Sequence, residues 1–222
     1  MIRQAIIAAG GKGLRLGALS KRYGNKSLVT VRGIPLVKIT VDWLREVGIS
    51  DVIIAVNYRS EYKKIATLFR NDVDVTVLYL QTKSGSANCI PALKDRLNKR
   101  FFFVYGHAPV PPEHLLAMLR KEALVVSLYP TTTQEVANRK PALLKGNVVT
   151  TSVHGTLFIE PPHVLTRAFV ERLAEVGSWK RAFQDYRGRI QGVLSSHPPE
   201  FHYYRDFCEV RRFLLQRRQK RP

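Results

Sequence analysis

Apolar residues along the chain fall into short runs separated by amphipathic stretches. Gln4–Ala9 is an apolar run that reads as a buried strand, and it opens directly into a glycine-rich segment. Pro35–Val47 carries the spacing of an amphipathic helix, with Pro35 in its first turn and Gly48 as its stop. Asp51–Asn57 predicts a second strand, and Ser60 is placed to cap a helix reaching Phe69. A strand over Asp74–Tyr79, a helix over Ser86–Leu97 and a very apolar strand over Phe101–Tyr105 follow. Repeated strand-helix-strand units imply parallel strands with helices on both faces. Ligands in such sheets sit at the carboxyl ends of the strands. The glycine segment, Gln81–Ala87 and Gly106-His107 all follow strands, so one end of the sheet can gather them.

Beyond Glu122 the pattern loosens. Leu124–Tyr129 reads as a strand, and Ala142–Lys145, Gly146-Asn147 and Val148–Thr151 together read as a hairpin. Gly155–Ile159 is a further strand closed by Pro161-Pro162. A short strand over His202–Tyr204 precedes a basic helix over Phe207–Arg218. Neither an internal repeat nor a linker-like stretch is visible, so residues 1–222 read as one domain.

Composition changes this picture mainly through charge. Against 17 acidic residues stand 36 Lys and Arg, a formal charge of +19 that favours anionic partners. The tail from Arg211-Arg212 to Arg221 is a local cationic cluster. No recognised nucleic-acid module is visible, which argues against nucleic acid as the partner. Cys89 and Cys208 lack metal-ligand or redox spacing and read as buried reduced thiols of a cytoplasmic protein. The start of the chain lacks a signal-peptide pattern, and no apolar run has the length of a membrane span.

The candidate chemistry lies in Ala8-Ala9-Gly10-Gly11-Lys12-Gly13-Leu14-Arg15-Leu16. A strand that runs into three glycines and two cations brings backbone N–H groups and positive charge against phosphate. A Walker A loop would need Lys-Ser/Thr after its last glycine, whereas Leu14 follows Gly13. A dinucleotide-binding loop would need a helix directly after it and an acidic residue closing the second strand, which ends Ala55-Val56-Asn57.

Ala8–Leu16, Lys26–Leu28 and Gly33–Leu44 closely resemble the opening of the sugar-1-phosphate nucleotidyltransferases, the NDP-sugar pyrophosphorylases. Gln81 with Gly85-Ser86-Ala87 resembles that family's base-reading Gln and glycine turn, and the likeness continues through Phe101–Gly106. The resemblance implies a nucleotide-binding three-layer α/β sandwich with a mostly parallel sheet, of the glycosyltransferase-A, Rossmann-like kind. It also implies a reaction in which a sugar phosphate attacks the α-phosphorus of a nucleoside triphosphate and pyrophosphate leaves. The partners are then a nucleoside triphosphate and a phosphorylated sugar or polyol. Ala8, Ala9 and the amides of Gly10, Gly11 and Gly13 would cradle the triphosphate. Arg15 would clamp its outer phosphates and Lys26 would stabilise charge at the α-phosphate.

Three departures qualify the resemblance. The family holds Mg²⁺ with an aspartate after a glycine, where this chain has Gly106-His107. A second aspartate is expected near Tyr204, and Asp206 lies two residues on. Asn25 stands where a proline precedes the lysine. Mg²⁺ prefers carboxylate oxygen to imidazole, so its usual ligands are missing. Asp206 can act as a single carboxylate, or His107 with the basic excess can replace the metal's charge. The third alternative is a non-catalytic pocket for nucleotide or nucleotide-sugar, acting as sensor or scaffold.

Overall fold

The computed structural model describes residues 1–222 except 12, 14–15, 83–84, 131–139, 153, 196, 199–203 and 220–222, and except the side chains of 20, 205–206 and 218–219. A nine-stranded sheet runs through the molecule. Its strands are β1 (Gln4–Ala8), β4 (Asp51–Val56), β5 (Val75–Tyr79), β6 (Arg100–Tyr105), β7 (Leu124–Pro130), β8 (Pro141–Lys145), β9 (Val148–Thr151), β10 (Leu157–Thr166) and β11 (Ile190–Leu194). Their order across the sheet is β5-β4-β1-β6-β10-β7-β11-β9-β8. All of them except β9 and β10 point the same way. The short strands β2 (Thr30–Val31) and β3 (Ile34–Pro35) form a separate hairpin.

Helices cover both faces. On one face, α2 (Leu36–Glu46), α3 (Arg59–Leu68) and α5 (Pro112–Leu119) bury Val37, Val41, Leu44, Ile65, Leu115 and Met118 against the sheet. On the other, α4 (Ser86–Cys89), α6 (Arg167–Val176) and α7 (Trp179–Asp185) contribute Cys89, Phe169, Leu173 and Phe183. α2 is apolar on two sides. Its Leu36, Ile39 and Trp43 form a third cluster with Val29, Val31 and the residues Phe207, Val210 and Leu214 of α8 (Tyr204–Gln219). Period-3.6 spacing of apolar residues on both stripes explains how one helix serves two cores.

Several sequence expectations are corrected. A helix does follow the glycine segment, α1 (Ala18–Tyr23), although it is only six residues long. The helix over Ser86–Leu97 is interrupted: α4 stops at Cys89 and a 3-10 stretch spans Pro91–Arg96, because Pro91 has no N–H to continue the α ladder. α3 begins one residue before Ser60, with Tyr58 at its cap position. Pro161-Pro162 does not end a strand; β10 runs ten residues through it, with its register shifting between Glu160 and His163. Tyr204 starts α8 rather than ending a strand, and 202–203 lie outside the described residues. Cys89 is buried, but Cys208 is only half-buried. Among the described residues no helix is long and apolar enough to cross a membrane.

Candidate active site

β1, β4 and β6 end side by side, and their following segments meet. Ala9 N–H donates to Ala55 O and Gly106 N–H to Ala8 O, so pairing continues past the strand ends. Gly10 then lies against the side chain of Asn57, whose Nδ2 donates to Thr82 Oγ1 at 2.8 Å. The segments after β1, β4, β5 and β6 thus share one end of the sheet, as the alternation of elements implied.

Among the described residues, Lys26 is a cation placed at that end. It opens a 3-10 turn, Lys26–Leu28, capped by Asn25, whose Oδ1 accepts from Ser27 N–H at 2.7 Å. The other end of the Asn25 amide donates to Ala9 O at 2.6 Å and to Glu61 Oε2 at 2.9 Å. One buried side chain therefore ties the end of β1, the lysine turn and α3 together. Lys26 N–H donates to Gly11 O, and its stem packs on Gly13, where a Cβ would sit 2.8 Å from Lys26 Cγ. Gly13 also adopts a φ of +64°, so a side chain there is excluded both by contact and by backbone conformation. Only 8% of Lys26 is exposed.

His107 follows β6 and is 7% exposed, with its ring stacked on Tyr105 at a centroid distance of 5.3 Å. Gly106 beside it meets Ser27: a Cβ would lie 2.9 Å from Ser27 Oγ and 3.1 Å from Ile7 Cγ2. Further along the same end, Trp179 Nε1–H donates to Ser86 Oγ at 2.9 Å, and Ser86 Oγ pairs with the Tyr105 hydroxyl at 3.5 Å. Gly85 precedes α4 with a φ of +113°.

Residues 5–189 match the family described as the MobA-like NTP transferase domain. The chain belongs to that family. It is 25% identical over 193 residues to "Probable mannose-1-phosphate guanylyltransferase 2" of Arabidopsis thaliana, covering 74% of this chain and 52% of the relative. This chain therefore spans about half the length of that curated protein. Among solved structures it resembles the UTP-bound UGPase of Acinetobacter baumannii, with a TM-score of 0.74 at 13% identity over 99% of this chain and 98% of the other. It also resembles the inositol-1-phosphate CTP transferase of T. maritima, with a TM-score of 0.70 at 20% identity over 87% of this chain and 85% of the other.

Within this MobA-like domain the remaining sequence candidates separate. Ala8, Ala9, Gly10, Gly11, Gly13, Lys26, Ser86 and His107 share the carboxyl end of the sheet. Gln81 lies exposed just beyond β5 at that end. Arg15 and the Asp206 side chain lie outside the described residues.

Mg²⁺ is poorly matched by what is described. His107 offers imidazole nitrogen on a ring that is stacked and nearly buried, and no group of three His, Cys, Asp or Glu comes together among the described residues.

Sequence reasoning missed two pairs. Glu61 is the buried partner of Asn25, and Lys140 forms an ion pair with Glu160 at 3.2 Å with side chains only 15% and 11% exposed. β10 runs antiparallel to β6 with His163 opposite Phe103, and beyond its register shift Glu160 lies opposite Ser127 of β7. The only available signal was Lys140-Pro141 opening a strand after a polar stretch. His163 is buried next to Phe103, Trp179 and Phe183, and desolvation holds its pKa well below the ordinary histidine value.

Proposed function

We propose that this protein is a nucleotidyltransferase, acting as one domain, that joins a nucleoside triphosphate to a sugar-1-phosphate or similar phosphorylated small molecule. An oxygen of the acceptor phosphate attacks the α-phosphorus, a new P–O bond forms, and the bond to the leaving pyrophosphate breaks. Both reactants are anions, so the protein's task is to position them and oppose their charge.

The observation that carries the reading is the placement of Lys26, whose stem packs on Gly13 and whose turn is set by the Asn25 cap at the end of β1. An ammonium held there meets charge developing at the α-phosphate without first having to reorganise. The amides of Gly10, Gly11 and Gly13 cradle the triphosphate, and Arg15 clamps its outer phosphates. Gln81, Gly85 and Ser86 form the base side. Lys140, partly neutralised by Glu160, is the cation assigned to the acceptor phosphate.

The named relatives support this reading. One is named for mannose-1-phosphate, one for inositol-1-phosphate with CTP, and one was solved with UTP.

Pyrophosphate release from each common nucleoside triphosphate, with a pool of sugar and polyol phosphates and with or without Mg²⁺, tests the proposal. Release should need a particular triphosphate and fall by about 10²–10³ in Lys26→Ala, the scale of losing one oriented electrostatic group. Nucleotide binding without release under any condition overturns it in favour of a non-catalytic pocket.

A further inference from the structure

The opposite end of the sheet carries a second feature that the proposed reaction does not use. A cavity of about 820 Å³ opens there, lined by Arg3, Lys99, Arg100, Arg120 and Lys121 above an apolar floor that includes Ile2 and Leu119. One acid, Glu122, shares this lining. These cations are scattered in sequence. They converge because each stands where a strand begins: Arg3 before β1, Arg100 at the start of β6, Lys121 before β7.

The positive edge continues beyond the cavity. Lys121 Nζ donates to Asn147 Oδ1 at 3.1 Å, which joins it to the β8–β9 turn that follows the exposed Lys145. Exposed Arg189 precedes β11, which lies between β7 and β9. Arg100 is preset within the row, its Nη2 donating to the carbonyls of Lys121 and Ala123 at 2.7 and 3.1 Å. On the other flank the row ends at β4, where Asp51 accepts from Gln4 Nε2 at 2.7 Å.

From β1 to β9 the row crosses five strand spacings, about 24 Å at ~4.8 Å each. That length faces roughly seven base pairs of duplex at about 3.4 Å each. We infer that this basic edge is a docking surface for the phosphate backbone of duplex nucleic acid, separate from the nucleotide pocket at the other end of the sheet. A single concave row of cations receives a rod-shaped polyanion, whereas a flat bilayer would touch only its rim. The described lining of the cavity includes no aromatic ring, so it offers no platform for stacking unpaired bases and the binding is to backbone rather than sequence. A search for a contiguous motif passes over such a surface, because the sheet assembles it from single residues far apart in the chain.

The test is fluorescence anisotropy of labelled DNA and RNA duplexes of about 20 base pairs, titrated with the full chain across a salt series. The triple variant Lys99→Glu, Arg120→Glu, Lys121→Glu should weaken binding at least tenfold and make the log–log salt slope shallower by roughly 2 to 3. The Arg211→Glu, Arg212→Glu variant of α8 should stay within about threefold of the unchanged chain, controlling for general loss of charge. The neutral triple variant with Gln at positions 99, 120 and 121 gives the same ordering if charge reversal harms folding. Loss of binding in the α8 variant with retention in the edge variants overturns the inference. So does capture by anionic vesicles without capture of duplex, or the absence of duplex binding at low salt. Retained triphosphate binding by the edge variants keeps this result independent of the proposed reaction.

Discussion

Asn25 donates from its amide nitrogen to the Glu61 carboxylate at 2.9 Å inside the protein, while the same nitrogen holds the Ala9 carbonyl at 2.6 Å. α3 is thereby fastened to the glycine loop through the residue preceding the lysine. The resemblance led to proline at that position, and proline could offer none of these bonds. Asn25→Ala removes the cap of the lysine turn and leaves Glu61 short of a donor. It should cost about 2–4 kcal/mol of stability in urea unfolding, combining a lost cap with a buried group left underbonded. A double-mutant cycle with Glu61→Gln should give a coupling of at least about 0.5 kcal/mol. Additive effects would mean that the two side chains do not act together.

Gly106→Ala should destabilise the protein by about 1–3 kcal/mol, because its Cβ would press on Ser27 Oγ and Ile7 in a filled core. Ser27→Ala alone should leave the melting temperature unchanged or raise it, since its buried Oγ has no hydrogen-bond partner among the described residues. Combining the two substitutions should recover part of the loss, and calorimetry reads all three outcomes.

Part of the acid sensitivity should trace to a histidine pair. His114 pairs with Ser127 Oγ at 2.7 Å, its ring meets that of His197 edge-on at 4.9 Å, and His197 contacts the Pro198 carbonyl. Burial pushes His114 down to about 3 and His197 down to about 4, from an ordinary value of 6.5. The unfolded chain therefore binds protons that the fold refuses. Stability contributed by the neutral rings is complete above pH 6.5 and is lost as pH falls towards 4. Urea midpoints should drop through that window, and His114→Gln with His197→Gln should make the drop shallower, leaving the share that belongs to buried His163. An unchanged profile would place the acid sensitivity elsewhere.

Trp179→Phe deletes the donor to Ser86 Oγ but keeps a ring where the indole stacks on Phe103 at 5.3 Å. Its expected signature is a rise in KM for the triphosphate of roughly tenfold, the scale of one net hydrogen bond, with kcat and thermal stability little changed. A fall in stability with no change in KM would make Trp179 a packing residue only.

Much of the first half was readable because β1, β4 and β6 are continuous apolar runs and α2 and α3 carry a helical period. Phe101–Tyr105 and Asp51–Val56 could hardly be anything else. α1 escaped notice because a six-residue helix has no room for a period. β10 was misjudged because two prolines read as a stop, while the structure carries the strand through them with a register shift. At the site, the glycines and Lys26 announce themselves by type and spacing. Asn25 with Glu61 and Lys140 with Glu160 do not, since each pair joins positions that only the folded sheet brings together.

β10 has one more effect, on the order in which the chain can fold. It is the reversed strand wedged between β6 and β7, pairing with both. Until it is made, β6 has a bare edge of Phe101, Phe102, Phe103 and Val104, all of which end up fully or almost fully buried. A growing chain that has released only its first half therefore presents a flat apolar edge open to other chains. The late strand seals that edge and joins the halves of the sheet into one cooperative unit. Fragments ending before Leu157 should aggregate rather than fold as a smaller nucleotide-binding protein.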